Sequence, residues 1–309
     1  MPGTFIISLD CEGKWGIPPG DNRIDRGGLT TSALTRAYKS LVSMLSMHEV
    51  PATFAFVMAF TLTMLELDEW LPRLTGVELG GSLWTRNFHL ATISRNYDGW
   101  FCSEAFDLVR DAGTHEIACH GFRHVPLGRY GITTEEAAYE LRNATELAKF
   151  KGVTPKTFVF PKNDVGNVSL LAQEGYIGFR NSNPVLGRYG RLGNLVREFN
   201  TQEAAQDCGP SLFGLVSIPG GHFLNWRYGV RRLVPKALTL LRWRTILNDA
   251  VASDRVALLW LHPENLSDSP ETFELLSQII RIAAELRDAK GLSIVTQAEY
   301  CAMHAQSQV

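Results

Sequence analysis

Eight short runs of apolar or alternating residues punctuate the chain, at 4–10, 51–57, 115–119, 156–160, 176–180, 214–218, 255–261 and 292–296. They are rich in Val, Ile, Phe and Leu, as strands buried on both faces of a parallel sheet must be. Between them, apolar residues return every three to four positions over 30–48, 100–112, 134–151, 166–174, 235–252 and 271–289. That spacing predicts amphipathic helices. The helix at 134–151 has a clear start, because Thr133 or Thr134 caps it and Glu136 closes a capping box in the first turn. Alternation of strand and helix predicts an α/β fold, a distorted TIM-like (β/α) barrel of about seven or eight strands. A single domain over 1–309 is expected, with two interruptions at 61–99 and 181–213. Long loops in compact domains are commonly functional, so both are candidate substrate-shaping insertions. Their Arg86, Arg95, Arg188 and Arg191 are candidates to meet a phosphate or carboxylate, against the default of solvated loop charge.

Composition narrows the partners. The 309 residues are 45% hydrophobic and 20% charged, enough for a full core. A formal net charge of −2 gives no basic field, which argues against a nucleic-acid partner or an anionic membrane surface and for a small or neutral substrate. No stretch approaches the length of a membrane span, and Met1-Pro-Gly-Thr4 runs into the first apolar run without a basic leader. The five cysteines, at 11, 102, 119, 208 and 301, are odd in number and form no Cys-x-x-Cys pair. Reduced thiols and a cytoplasmic setting are expected.

The chemistry-bearing residues cluster at strand ends. Asp10 and Glu12 close the first run, His120 and His124 follow the third, and His262 follows the seventh. Strands of a barrel deliver their C-terminal ends to one face, so these distant residues are expected to meet. Asp10 and Glu12 stand two apart and share a side of the strand. His120 and His124 stand four apart and share a face if the chain turns helically there. Two histidines and one carboxylate leave open positions on a divalent ion, the arrangement of a catalytic site, and suit zinc. His115-Glu116-Ile-Ala-Cys119 resembles the start of a zincin helix, but Cys119 stands where the second histidine is needed and the segment reads as a strand. Its His115 and Glu116 are expected to be structural, with Glu116 capping a neighbour or facing away from the barrel axis, and Cys11 and Cys119 to be buried packing residues.

These residues resemble the polysaccharide deacetylase family, carbohydrate esterase family 4, in order along nearly the whole chain. Ser8-Leu-Asp-Cys-Glu12 is similar to its first motif, Ala52-Thr-Phe-Ala-Phe56 to its second strand, Gly113 to His124 to its histidine segment, and Leu259-Trp-Leu-His262 to its last motif. The resemblance implies that Asp10 is the general base, that Glu12, His120 and His124 bind the metal, and that His262 is the general acid. The family's third motif places an arginine two residues before a proline, but Val159 stands there in Phe158-Val-Phe-Pro-Lys-Asn163. Lys162 or Arg180, at the end of the next strand, is expected to orient the base instead. A backbone N–H just after Pro161 is the candidate oxyanion donor, with charge from Lys162 and with Asn163 alongside. His222 and Trp226 are expected to line the pocket, and Trp15, Trp84 and Trp260 to stack on a sugar face.

The implied function is metal-dependent removal of an N-acetyl group from an amino sugar, on a nucleotide- or lipid-linked precursor. Asp10-Cys-Glu-Gly-Lys-Trp-Gly16 with the following prolines resembles the subgroup linked to surface-polysaccharide synthesis. Hydrolysis of a non-sugar amide, ureide or formamide at the same site, and a catalytically silent binding barrel, are the alternatives.

Overall fold

The computed structural model describes residues 2–128, 131–183, 195 and 198–306. Its strands are β1 (Thr4–Cys11), β2 (Thr53–Phe56), β3 (Glu78–Leu79), β4 (Ser82–Leu83), β5 (Glu116–Cys119), β6 (Thr157–Val159), β7 (Gly178–Arg180), β8 (Gly209–Leu212), β9 (Leu215–Ile218), β10 (His222–Phe223), β11 (Val256–Leu261) and β12 (Ser293–Ile294). Nine lie side by side in the order β10-β11-β1-β2-β5-β6-β7-β9-β8, and every neighbour pair is parallel except β8 with β9. Among the described residues β10 and β8 are the free ends of this order, so the sheet is a curled half-barrel matching the distorted (β/α) barrel expected. Within this order, the two strands that periodicity does not announce are β8, whose Gly-Pro-Ser-Leu carries no apolar pattern, and β10, two residues long. The eighth expected strand shrinks to β12, which pairs only with Thr4 and Phe5 of β1.

Period-two alternation sorts β1 between two environments. Phe5, Ile7, Leu9 and Cys11 join the main core beneath the helices, together with Phe54, Phe56 and Cys119 of the next strands. Ser8 and Asp10 take the opposite face, where Asp10 is in register with Ala55 and small Ala55, Ala118 and Val159 form their own buried cluster. One polar strand face is thus turned into the barrel.

The six expected helices form as Thr31–Met47, Ser103–Ala112, Thr134–Phe150, Val168–Gln173, Lys236–Ser253 and Pro270–Lys290. Thr133 caps the third, its side chain accepting from the Glu136 N–H while Glu136 accepts from the Thr133 N–H. A Thr133→Ala variant is expected to lose about 1 kcal/mol, or roughly 2 °C of melting temperature in calorimetry; an unchanged melt would show the cap to be dispensable.

Residues 61–99 are not an open loop. They fold into helices Leu67–Leu74 and Arg86–Ser94 and the β3–β4 hairpin. Asn87 donates to the carbonyls of Ile17 and Pro18 at 3.4 and 3.1 Å, and Phe88 packs on Trp15 at 4.6 Å between ring centroids. The segment props the loop after β1 from behind. Of 181–213, residues 184–194 and 196–197, with Arg188 and Arg191, lie outside the described residues.

Candidate active site

The half-barrel's parallel strands end around a cavity of about 770 Å³ lined by Asp10, Glu12, His120, His124, Lys162 and His262 among others. Strands 250 residues apart in sequence meet here because β11 and β1 are parallel neighbours, with Leu9 opposite Leu261.

Glu12 stands just past β1. Its Oε2 lies 2.7 Å from His124 Nε2 and 3.4 Å from His120 Nε2, and its Oε1 lies 3.4 Å from His262 Nε2. Gly16 makes the room: a Cβ there would sit 1.9 Å from Glu12 Oε1. Burial opposes charge on Glu12, but His124, His262 and His120 outweigh it and hold the carboxyl well below the usual carboxylate range. Burial pushes His124 down to about 4 despite Glu12. At neutral pH the group therefore comprises an anionic carboxylate and a neutral imidazole, the protonation states that a cation requires.

The histidines converge without a helix, contrary to the expectation from their spacing. Gly121 and His124 both adopt left-handed backbone, φ 83° and 58°, so a tight irregular loop brings the rings to 4.9 Å between centroids. Each residue of His120-Gly-Phe-Arg-His124 is accounted for. His120 donates from Nδ1 to the Val159 carbonyl at 2.7 Å, which leaves Nε2 with a lone pair toward Glu12. Phe122 is buried against Trp70. The Arg123 N–H donates to Glu140 Oε1 at 2.6 Å and its guanidinium pairs with Oε2 at 2.9 Å, fastening the loop to the helix Thr134–Phe150. Trp84 donates to the His124 carbonyl at 3.2 Å. Glu12, His120 and His124 together present ligand atoms within 4.8 Å of one another, a set that fits a divalent ion.

Asp10 is clamped by Arg180, which reaches it from the end of β7. Nη1 and Nη2 donate to Oδ1 and Oδ2 at 2.6 and 2.7 Å, and Ser8 Oγ and Asn163 Oδ1 accept further bonds at 2.8 and 3.1 Å. Burial would raise the Asp10 pKa, but Arg180, helped by His120 and His262, holds it below its ordinary value. Of the two substitutes for the missing arginine, the geometry selects Arg180; Lys162 turns its ammonium to the Gly16 carbonyl at 2.7 Å, and burial lowers its pKa. Lys162 and Asn163 follow Pro161 in left-handed conformation, φ 58° and 52°, and the Asn163 N–H bonds the Phe160 carbonyl.

His262 is oriented by Asn265, whose amide donates to Nδ1 at 3.3 Å, so the ring proton sits on Nε2 facing Glu12. Burial lowers its pKa despite Glu12 and Asp10. Glu264, two residues on, also lines the cavity; burial and the nearby Glu12 push its carboxyl well above the usual range. Neither Glu264 nor Asn265 was expected, and the only sequence signal was their place in His262-Pro-Glu-Asn265 after an apolar strand.

Other expectations fall elsewhere. His222 lies 2.8 Å from Glu203 through Nδ1 and bonds the Ala204 carbonyl through Nε2, away from the cavity lining. Trp15 is buried in the core, donates to the Trp100 carbonyl and packs on Phe88 and Trp100. Trp226 and Trp260 do line the cavity. All five cysteines are free; burial pushes Cys119 up to about 12 and Cys11 well above its usual value, and both pack in the main core, outside the Glu12, His120 and His124 group. Glu116 accepts from Thr53, Thr157 and the Ala298 N–H, tying the C-terminal helix Gln297–Gln306 to the barrel's far end.

The sequence model of polysaccharide deacetylases matches residues 24–180, just over half of the chain and including both loop histidines. The chain belongs to the polysaccharide deacetylase family. No curated protein matches it in sequence. A Mycobacterium smegmatis crystal structure classed as a polysaccharide deacetylase shares the fold, with a TM-score of 0.65, 17% identity, and 99% of this chain covered against 90% of that one. The GH57-type branching enzyme of the archaeon Pyrococcus horikoshii follows the same path less closely, with a TM-score of 0.55 at 13% identity over 98% of this chain and 70% of that one. Family membership implies hydrolytic deacetylation of a sugar. Within this family, the chain carries Val159 where the resemblance places an arginine, and Arg180 is the arginine bonded to Asp10.

Proposed function

We propose that this chain is a metal-dependent N-deacetylase that cleaves the acetamide of an amino sugar to free amine and acetate. The observation that carries the reading is the convergence of Glu12, His120 and His124 beside a clamped Asp10, with His262 across the same cavity. Glu12, His120 and His124 would hold the ion, and zinc suits this donor set. Such an ion, when bound, supplies Lewis acidity that activates a water and polarises the acyl carbonyl.

The protein's own groups do the rest. Asp10, kept anionic by Arg180, takes the proton from the attacking water at a carboxylate oxygen. The Lys162 N–H after Pro161 donates to the oxyanion as it develops, and the Lys162 ammonium adds charge nearby. His262, in its protonated imidazolium form, gives the Nε2 proton to the departing nitrogen and returns to neutral imidazole; without that proton the amine would return to amide. Trp226 and Trp260 line the cavity that would hold the sugar. The complete set of five polar groups speaks against a silent barrel.

The substrate is a precursor of a surface polysaccharide, and the setting is cytoplasmic, a reading supported by five free cysteines. Among the described residues no helix is long and apolar enough to cross a membrane. The test is acetate release from a panel of N-acetylated amino sugars, free, nucleotide-linked and lipid-linked, with metal analysis of the protein. Chelation is expected to remove activity and added zinc or cobalt to restore it. Turnover that survives complete metal removal, or no acetate from any sugar by zinc-loaded protein, would overturn the reading.

A further inference from the structure

A net charge of −2 conceals an uneven run of cations along the sequence, of which Arg227, Arg231, Lys236 and Arg242 pair with carboxylates from elsewhere in the fold. From Cys208 to Asn248 the chain holds no aspartate or glutamate, but six cations: Arg227, Arg231, Arg232, Lys236, Arg242 and Arg244. In the middle of this stretch, the loop from Tyr228 to Leu233 borders the cavity: Tyr228, Gly229, Val230 and Arg231 line it, and Arg232 and Leu233 lie outside the lining. The same loop turns apolar side chains outward: Tyr228 is 44% exposed, Val230 66% and Leu233 74%.

This exposure is built in, because the loop is held from inside. The Arg227 guanidinium donates to the carbonyls of Val234 and, at 2.9 Å, Arg232, and pairs with Glu271 at 3.0 Å. The Arg227 N–H bonds Thr272 Oγ1 at 2.9 Å, and Tyr228 stacks on Trp226 at 4.6 Å with an angle of 8° between the rings. Arg26 covers the Trp226 ring at 4.5 Å. A loop fastened at so many points keeps Val230 and Leu233 in water by construction. Beside them, Arg232 is exposed and, among the described residues, has no carboxylate within ion-pair distance; the exposed Arg244 of the following helix has none either.

We propose that this rim docks on an anionic lipid bilayer, so that the amino sugar presented to the cavity is carried on a membrane lipid. Exposed apolar side chains beside Arg232, which is exposed and has no carboxylate within ion-pair distance among the described residues, match the two-layer chemistry of such a surface, acyl chains beneath anionic headgroups. Continuity of the rim with the cavity wall supplies the geometry: a headgroup sugar reaches the catalytic groups while its lipid stays in the membrane against Val230 and Leu233. The proposal rests on the deacetylase reading for its substrate but not for its surface.

The experiment is co-sedimentation of the full chain with phosphatidylcholine vesicles, with and without about 30% phosphatidylglycerol. Binding to the anionic vesicles is expected to exceed binding to neutral ones at least about fivefold, and to weaken as salt is raised from about 0.05 to about 0.5 M. Arg232→Gln is expected to lower partitioning roughly fivefold, and Leu233→Glu about tenfold or more. Both variants keep the wild-type melting temperature and the wild-type rate on a soluble N-acetylated sugar. Asp10→Asn binds vesicles like the wild type, which separates the two readings: vesicle binding without any sugar hydrolysis sinks only the function, and hydrolysis without vesicle binding sinks only the docking surface. Equal binding to neutral and anionic vesicles overturns the proposal. So does a dimer that Leu233→Glu splits in a chain that ignores vesicles, which would assign the face to a second copy.

Discussion

An Arg180→Met protein should be nearly inactive at neutral pH and regain part of its rate as the pH is raised. Arg180 is fully buried and donates to both oxygens of a buried Asp10. Removing one partner of such a pair leaves the other charge uncompensated, at a typical cost of about 3–5 kcal/mol. The sign of the pH dependence follows from the two opposing influences on Asp10. In the native protein its pKa is depressed, so the stability that the pair contributes is present above the unfolded carboxylate value, about 3.9, and is lost only as pH falls through the lower folded value. Without Arg180 the burial influence is left to dominate and the folded pKa moves above the unfolded one. The variant's deficit in melting temperature then grows as pH rises from about 4. The acid limb of its rate profile moves up as well, since the base must be anionic to act. Loss of the base from its working state should lower the neutral-pH rate by about 10²–10⁴-fold. A rate profile superimposable on the wild type's would remove Arg180 from the mechanism.

Asp10→Asn separates the proposed base from its holder. Asparagine retains an acceptor for Arg180 but cannot take a proton, so the rate should fall by the same order, about 10²–10⁴-fold, and stay low at every pH. Metal content should remain near the wild-type value, because Glu12, His120 and His124 are untouched. The contrast is diagnostic: high pH rescues Arg180→Met and leaves Asp10→Asn unchanged. If asparagine at position 10 left the rate within a factor of about three, far inside the range for general-base loss, another group would have to be the base.

Much of the barrel was legible because local patterns repeat. Buried parallel strands announce themselves as apolar runs, helices as three-to-four periodicity, and Thr133 with Glu136 as a cap, all without knowledge of neighbours. Short or polar strands such as β8 and β10 exist only through their partners, so no local signal marks them. The same division holds in the site. The ends of β1, β5 and β11 are local features, and they converge as barrel topology requires. The bond from Arg180 to Asp10 depends on which strands lie near one another across 170 residues, and sequence spacing left Lys162 equally eligible. His222 and Trp15 were read by type alone, an imidazole and an indole near strand ends. Their neighbours Glu203 and Phe88, which claim them for other work, are placed only by the fold. His120 and His124 were read correctly as a pair but for the wrong local reason, since left-handed residues rather than a helical turn bring them together.

The way that loop is fastened bears on which ion the proposed metal site would take in a cell. Glu140, Val159 and Trp84 hold the two histidines by protein–protein bonds alone. These bonds do not run through an ion, so removing a bound ion is expected to leave the donor atoms where they are. A rigid socket with open sides takes whichever divalent first-row metal its surroundings supply at the highest effective concentration. The metal recovered with this protein is then expected to record the growth medium, changing from one culture to the next while the fold around it does not.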